Sequence, residues 1–267
     1  MSENHRAGCV SRKPSRTPED MAHFGYLAIP AREKARWVRR HFNVVAPRYD
    51  LVNTFLSFGL HHSWKRTAVR MLGLHPGNRV LDLCGGTADL ALLAVRDVGP
   101  SGRVVLYDIN RNMMSIGRSK ARRRNVGEQL EYIQGDAEKI SFRNESFDAA
   151  MVGFGIRNLT YLEQGFREMH RVLRPGGKMM CLEFSMPMAP VFRWLYDIYS
   201  FYIMPWSGRL LTGSKEAYTY LPESIRMFPL PDRLSEILRA VGFGSVGYRG
   251  LTNGIAFIHT GIRDVHR

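Results

Sequence analysis

The sequence predicts an α/β fold built on a doubly wound, mostly parallel, seven-stranded sheet. Two observations carry that expectation. After Pro76, short apolar runs alternate with stretches of helical periodicity, the pattern of parallel strands joined by crossover helices. The first run leads through a glycine turn into a helix, and the second ends in an acidic residue.

The elements follow in chain order. Residues 1–30 read as a flexible basic arm, because the opening MSENHRAGCVSRKPSRTPED has little apolar periodicity and no apolar core of a signal peptide. Residues 31–42 space Ala31, Ala35, Val38 and Phe42 along one face of an amphipathic helix. An aromatic stretch, 49–59, comes next, and Ser63 is placed to cap a second helix that runs to Leu72 and stops at Gly73. Residues 31–75 thus form an N-terminal helical lid. In the core, 76–188, apolar runs at 79–84, 103–108, 130–134, 147–154 and 178–184 are the strands, with helices at 113–124 and 162–173. Pro175-Gly176-Gly177 turns the chain into the fifth strand. Residues 189–230, rich in aromatics from Phe192 and Trp194 through Tyr196, Tyr199, Phe201 and Tyr202 to Trp206, interrupt the alternation as an inserted helical cap. A helix at 232–241 and strands at 245–248 and 254–260 complete the sheet in the last segment, 231–267.

Composition narrows the function classes. With 45% hydrophobic and 23% charged residues among 267, the chain is not of the disordered type. Its apolar runs fall well short of the roughly 20 residues that span a bilayer. Cys9, Cys84 and Cys181 are odd in number and lack metal-ligand spacing, which argues against a disulfide framework and a zinc site and for a reducing, cytoplasmic setting. Lys and Arg number 38 against 24 Asp and Glu, a formal net charge of +14, which favours an anionic partner such as nucleic acid or an acidic membrane surface.

The candidate cofactor site lies at the carboxyl ends of the first strands, where doubly wound sheets bind ligands. Gly85 and Gly86 permit a backbone approach that a Cβ would block. Asp108 ends the second strand 22 residues after Gly86, the spacing at which a carboxylate accepts hydrogen bonds from a ribose. The turn lacks the third glycine of a dinucleotide fingerprint and the Gly-Lys-Ser/Thr ending of a phosphate loop. Asp82 and Asp89 flank it with negative charge, which suits a cationic adenosine cofactor, S-adenosylmethionine, better than a pyrophosphate. Asp136 ends the third strand where a carboxylate meets an adenine amino group, and Met113 is placed to pack on the ring.

At this point the chain resembles the class I S-adenosylmethionine-dependent methyltransferases, with their Rossmann-like sheet. More narrowly it resembles the ubiquinone/menaquinone biosynthesis C-methyltransferases. The resemblance covers about residues 38–262. It rests on Tyr49-Asp50-Leu51-Val52-Asn53, Ser57-Phe58-Gly59-Leu60-His61, Leu81 through Thr87, Asp108-Ile109-Asn110, Phe154-Gly155-Ile156-Arg157-Asn158, Arg174-Pro175-Gly176-Gly177, Leu182-Glu183-Phe184-Ser185 and Tyr220 through Ile225. The resemblance implies that Thr87, Asp108 and the Asp136-Ala137 pair hold the cofactor. It also implies two departures: Gly153 stands where relatives commonly place a cofactor-contacting Ser, and Ala88 replaces a glycine, adding a methyl beside the cofactor's approach.

The implied reaction is methyl transfer to a ring carbon of a lipophilic prenylated hydroquinone, made electron-rich by ionising a phenol hydroxyl. Arg157 is the candidate to stabilise the phenolate and Asn158 to hold the other ring oxygen, with Tyr49 and His61 as further catalytic candidates above the pocket. The aromatic cap, flanked by Arg193 and Arg209, and the basic first helix suit peripheral contact with an anionic membrane. No nucleic-acid partner is expected, and a homodimer is compatible with the sequence. The alternatives are a methyltransferase for RNA or another small aromatic metabolite, and a non-catalytic scaffold of a quinone-biosynthesis assembly.

Overall fold

A computed structural model describes residues 21–187, 189–200 and 216–265. The chain begins with a hairpin, β1 (Met21–Phe24) and β2 (Leu27–Pro30), turned at Gly25. This corrects the expected flexible arm for residues 21–30; residues 1–20 lie outside the described residues. Ala22 and Ile29 are buried, so the hairpin has a packed face. Gly25 lies against Glu223, whose Oε2 accepts from Tyr26 N–H at 3.1 Å.

Three helices follow: α1 (Ala31–Val45), α2 (Tyr49–Leu56) and α3 (Leu60–Leu72). The expected first helix runs one turn further, because Val45 joins Ala31 and Val38 on the buried face. Ser63 does not cap α3. Phe58 (φ 49°) and Gly59 (φ 74°) break the chain in the left-handed region, α3 starts at Leu60, and Ser57 Oγ accepts the His61 N–H at 3.4 Å. Gly73, in the left-handed conformation, ends α3 as expected.

The main sheet comprises β3 (Arg79–Leu83), β4 (Arg103–Asp108), β5 (Leu130–Gln134), β6 (Phe147–Gly153), β7 (Leu173–Phe184), β8 (Phe243–Leu251) and β9 (Ala256–Arg263), in the order β5-β4-β3-β6-β7-β9-β8. Strands β3 to β7 are parallel, and β9 runs antiparallel between β7 and β8. Pro175-Gly176-Gly177 sits inside β7 as a bulge, between the pairs Phe147–Leu173 and Ala149–Lys178. Helices α4 (Asp89–Val98) and α5 (Arg111–Arg123) join α3 over one core, which includes Trp64, Leu92 and Leu106. Helices α6 (Leu162–Val172) and α9 (Pro231–Val241) cover the other, around Phe147, Phe166 and Leu238. Of the expected cap, α7 (Pro190–Ile198) and α8 (Glu216–Met227) are described, whereas Phe201, Tyr202, Trp206 and Arg209 lie outside the described residues.

The order of strands reverses on either side of β3, with β4 on one flank and β6 on the other. A crevice forms at their carboxyl ends, where helices leave toward opposite faces. The lid helices lie over that crevice.

Candidate active site: two cavities with a common aromatic wall

Two cavities meet above the carboxyl edge of the sheet. The smaller, about 90 Å³, is lined by Gly86, Asp108, Met113, Asp136, Ala137 and Gly153, with Ala35, Val38 and Arg39 of α1 as its roof. The larger, about 280 Å³, is lined by residues of α2, α3, α7 and α8 together with His41, Phe154 and Arg157. Phe42, Tyr49 and Phe154 line both. Matter held in one cavity therefore faces matter held in the other across these three rings.

Asp108 is the best-defined group of the smaller cavity. Its Oδ2 accepts the Gly86 N–H at 2.8 Å and its Oδ1 accepts the Asn110 N–H at 2.7 Å. Both oxygens are thus fixed by backbone and keep lone pairs for a diol. Burial pushes the Asp108 carboxyl up to about 6, against the pull of those two N–H groups, so it is ionised at neutral pH. Capping of α5 falls instead to Asn110, whose side-chain oxygen accepts from Asn112 and Met113 N–H. Gly86 (φ 51°) presents its backbone to the cavity, and a Cβ there would meet the Met113 side chain at 3.4 Å. Asp136 Oδ1 is held by the Glu138 N–H at 2.9 Å. A pair of fixed carboxylate oxygens, a glycine approach and a buried Met fit the adenosine part of S-adenosylmethionine.

Several expected site residues are placed differently. Gly85 does not line the cavity: a Cβ on it would sit 2.6 Å from Leu106 and 3.0 Å from Asp82, so its small size serves packing behind the turn. Thr87 is buried and donates to Asp50 Oδ1 at 2.7 Å, off the wall of both cavities. Ala88 (φ 69°) points its methyl toward Gly117 of α5, not beside the cofactor's approach. The flanking charges are also neutralised. Burial pushes Asp82 up to about 8, so it keeps its proton at pH 7. Asp89, opposed by burial, is held well below the usual carboxylate range by Lys65 and Lys120. Of these three carboxyl groups, Asp108, at the end of β4, is therefore the one that lines the smaller cavity.

In the larger cavity, Arg157 is buried with Glu183 at 2.8 Å, donates to the Phe154 carbonyl, and reaches Ser224 Oγ through Nε at 3.3 Å. Burial pulls the Arg157 pKa down, but Glu183, Tyr220 and Tyr49 together outweigh it and raise the pKa, so the guanidinium stays charged. Asn158 lines the smaller cavity, not the larger: its Nδ2 donates to the Gly155 carbonyl, and its Oδ1 accepts the Tyr220 hydroxyl at 2.6 Å. It therefore does not hold a ring oxygen in the larger cavity. Tyr49 sits at the junction, with its phenol pKa raised by burial.

His61 lines the larger cavity and is buried. Its Nε2 lies 3.1 Å from Thr54 Oγ1, which donates its own proton to the Asp50 carbonyl, so Nε2 carries the hydrogen and Nδ1 is bare. Burial, then Lys65, pushes its pKa down to about 3, so it is neutral and a weaker base than its residue type suggests. Two further groups emerge from the structure alone. His41, pushed down to about 4 by burial and Arg157, lines the larger cavity beside Tyr220, and Lys65 lines it with Nζ 5.9 Å from the Phe154 ring. Neither stands in a motif that singles it out in sequence.

Comparison with known proteins agrees with this geometry. The sheet order and helices match solved S-adenosylmethionine-dependent methyltransferases. One, from Aquifex aeolicus, is 17% identical with a TM-score of 0.54, covering 74% of this chain and 89% of that one. Another, from Thermotoga maritima, is 16% identical with a TM-score of 0.59, covering 85% and 99%. The fold is that of an S-adenosylmethionine-dependent methyltransferase. A sequence model of the ubiE/COQ5 methyltransferase family matches residues 30–263, and the chain belongs to that family. It is 45% identical to a protein of Pseudomonas entomophila (strain L48) named ubiquinone/menaquinone biosynthesis C-methyltransferase UbiE, covering 92% of this chain and 96% of that protein. Its counterpart from Azotobacter vinelandii is 44% identical, covering 93% and 98%.

Proposed function

We propose that the protein transfers a methyl group from S-adenosylmethionine to a ring carbon of a prenylated hydroquinone, a benzoquinol or naphthoquinol, in ubiquinone or menaquinone biosynthesis. One observation carries the reading: the smaller cavity, with its ribose-reading Asp108, shares an aromatic wall with a larger apolar cavity sized for a ring. The names of the relatives, which specify C-methylation in that biosynthesis, support the same chemistry.

In this reading Asp108, Met113, Asp136, Ala137 and the backbone at Gly86 and Gly153 hold the cofactor. Bound there, S-adenosylmethionine supplies an electrophilic methyl, while the acceptor ring supplies the carbon and loses one proton on rearomatising. The protein's task is to orient the ring, exclude water and stabilise a phenolate oxygen. Arg157 cannot act as a base, since its guanidinium remains charged. Its Nη1 and Nε are engaged, and it stabilises negative charge on the ring oxygen through Nη2, which has no hydrogen-bond partner among the described residues. Phe154, Phe184, Tyr196 and Tyr199 give the ring apolar walls. Asn158 acts at one remove, by fixing the Tyr220 hydroxyl that packs beside His41.

The prenyl tail leaves by the open side. Phe58 and Phe192 line the larger cavity and are 81% and 54% exposed. Leu51, Phe55 and Trp194 continue the exposed apolar rim, and Arg193 is exposed beside them. No helix among the described residues is long and apolar enough to cross a membrane. A basic protein with such a rim suits peripheral docking on anionic lipid, with the rim facing the headgroups. The test is incubation with methyl-labelled S-adenosylmethionine and a reduced membrane-lipid extract, followed by mass analysis. Label on a quinol ring carbon is expected; label confined to RNA or to water-soluble metabolites would overturn the proposal.

A further inference from the structure

Methylation of a ring carbon leaves that carbon with a hydrogen to lose, and the walls of the larger cavity hold few groups able to take it. Among its described lining residues there is no carboxylate. Burial raises the phenol pKa of Tyr49, Tyr196, Tyr199 and Tyr220, so all four keep their protons. Lys65 is ion-paired with Asp89 at 2.7 Å, and Arg157 stays charged. His61 points its Nε2 hydrogen at Thr54, and its bare Nδ1 is buried in the wall without a partner.

His41 differs from all of these. It lines the cavity from α1, half-buried, with Phe24 of β1, Phe42 and Tyr220 of α8 around its ring at centroid distances of 5.8, 5.2 and 4.8 Å. Packing alone fixes the ring, since no hydrogen bond holds either of its nitrogens among the described residues. The charge that acts on it is Arg157, on the turn after β6, while Tyr220 faces it as a neutral phenol whose hydrogen goes to Asn158. Burial, then Arg157, pushes the His41 pKa down to about 4, so at neutral pH the ring is uncharged and one nitrogen bears a lone pair.

We propose that His41 is the catalytic base that takes the proton from the methylated ring carbon. The inference rests on the C-methylation reading above and deepens it. The ring carbon of the phenolate bonds to the methyl as the methyl–sulfur bond breaks, leaving S-adenosylhomocysteine and a neutral dienone. The C–H bond then breaks. Its electrons restore the aromatic phenolate, and the proton goes to the His41 nitrogen and from there to water by the open side. Rearomatisation makes that C–H strongly acidic, so a weakly basic imidazole suffices. A phenolate beside Arg157 also offsets the charge that holds the His41 pKa down, so the base strengthens when the acceptor is bound.

The test is turnover of His41→Phe, which keeps the ring packing, and His41→Gln, which keeps a polar group. The acceptors are a short-tailed prenylated naphthoquinol and the matching benzoquinol, each with hydrogen or deuterium on the acceptor carbon. At saturating quinol, kcat should fall about 10²-fold or more in both variants. S-adenosylmethionine affinity by calorimetry should stay unchanged, which also reports that each variant is folded. Proton loss should then limit the rate, so deuterium should slow both variants by a primary isotope effect. Turnover near wild type in either variant would overturn the assignment. So would a fall in kcat without an isotope effect, or with S-adenosylmethionine binding lost, since a merely structural ring gives those results. A wild-type protein that binds S-adenosylmethionine but methylates neither quinol would instead sink the C-methylation reading and this inference with it.

Discussion

The methyl of Ala88 and the bare Cα of Gly117 are complementary: a Cβ built on Gly117 would lie 2.9 Å from Ala88 Cβ. Ala88 occupies a left-handed conformation (φ 69°) that glycine adopts at no steric cost, and it is fully buried. Its methyl is accommodated because α5 carries no side chain at that point. Gly117→Ala should therefore destabilise the protein by about 1–3 kcal/mol through overpacking. Part of that loss should vanish in the Ala88→Gly background, because the backbone carbonyl carbon of Thr87 and nitrogen of Ala88, 3.1 and 3.3 Å from such a Cβ, remain; a double-mutant cycle of thermal or denaturant unfolding measures the coupling directly.

Gly153 has a similar partner. A Cβ there would lie 2.6 Å from Leu90 Cδ1, so restoring a serine at this position adds a collision before it adds a cofactor contact. Gly153→Ser should cost about 1 kcal/mol of stability and leave S-adenosylmethionine affinity no better. Combining it with Leu90→Ala should remove the collision, and calorimetry on the double variant should then show tighter binding than on Gly153→Ser alone.

Cofactor affinity should depend on pH through Asp108. Its folded pKa, pushed up by burial to about 6, lies above that of an exposed carboxyl. The ribose-accepting carboxylate form is present above that value and is lost as the pH falls through it. Affinity measured by titration should be flat from pH 7 to 8 and decline toward pH 5, and Asp108→Asn should flatten the profile. The same shift acts on stability with the opposite sense: the buried carboxyl favours the folded state at low pH, and that contribution fades as the pH rises through about 6.

Arg157 and Glu183 form a buried pair, with side chains 6% and 2% exposed. Arg157→Ala leaves a buried carboxylate without its cation and should destabilise the protein by about 3–5 kcal/mol. Arg157→Ala with Glu183→Gln removes that stranded charge, so stability should recover in large part. Turnover should not recover, because the phenolate has lost its counter-charge; wild-type turnover at saturating quinol in the double variant would remove Arg157 from the chemistry.

Membrane docking has a separate readout. Association with anionic vesicles should be strong at low salt and weaken as ionic strength rises. Replacing Phe55 and Phe58 by Ser should weaken it at every salt concentration while leaving S-adenosylmethionine affinity intact. Absence of co-sedimentation at low salt would exclude the docking face.

The strands were legible because central strands of a parallel sheet are buried on both faces, and runs such as 79–84 and 103–108 are nearly unbroken apolar segments closed by Asp or Gly. Asp108 was legible for the same reason: it is the polar residue at the end of such a run. The reach of Thr87 to Asp50 and of Arg157 to Glu183 was not, because these pairs join residues 37 and 26 positions apart, the first formed only when α2 meets the glycine turn and the second only when the segment after β6 packs on β7. Local chemistry also misled at Ser63, a good capping residue that the left-handed pair Phe58-Gly59 bypassed in favour of Ser57. The hairpin at 21–30 has too few residues for a periodicity to show, and it is held from afar by Glu223.

The most direct test of the whole account is a crystal structure with S-adenosylmethionine bound. The account predicts both ribose hydroxyls on the Asp108 carboxylate and the sulfonium methyl turned to the wall made by Phe42, Tyr49 and Phe154. A cofactor whose ribose avoids Asp108, or whose methyl faces away from that wall, would contradict it.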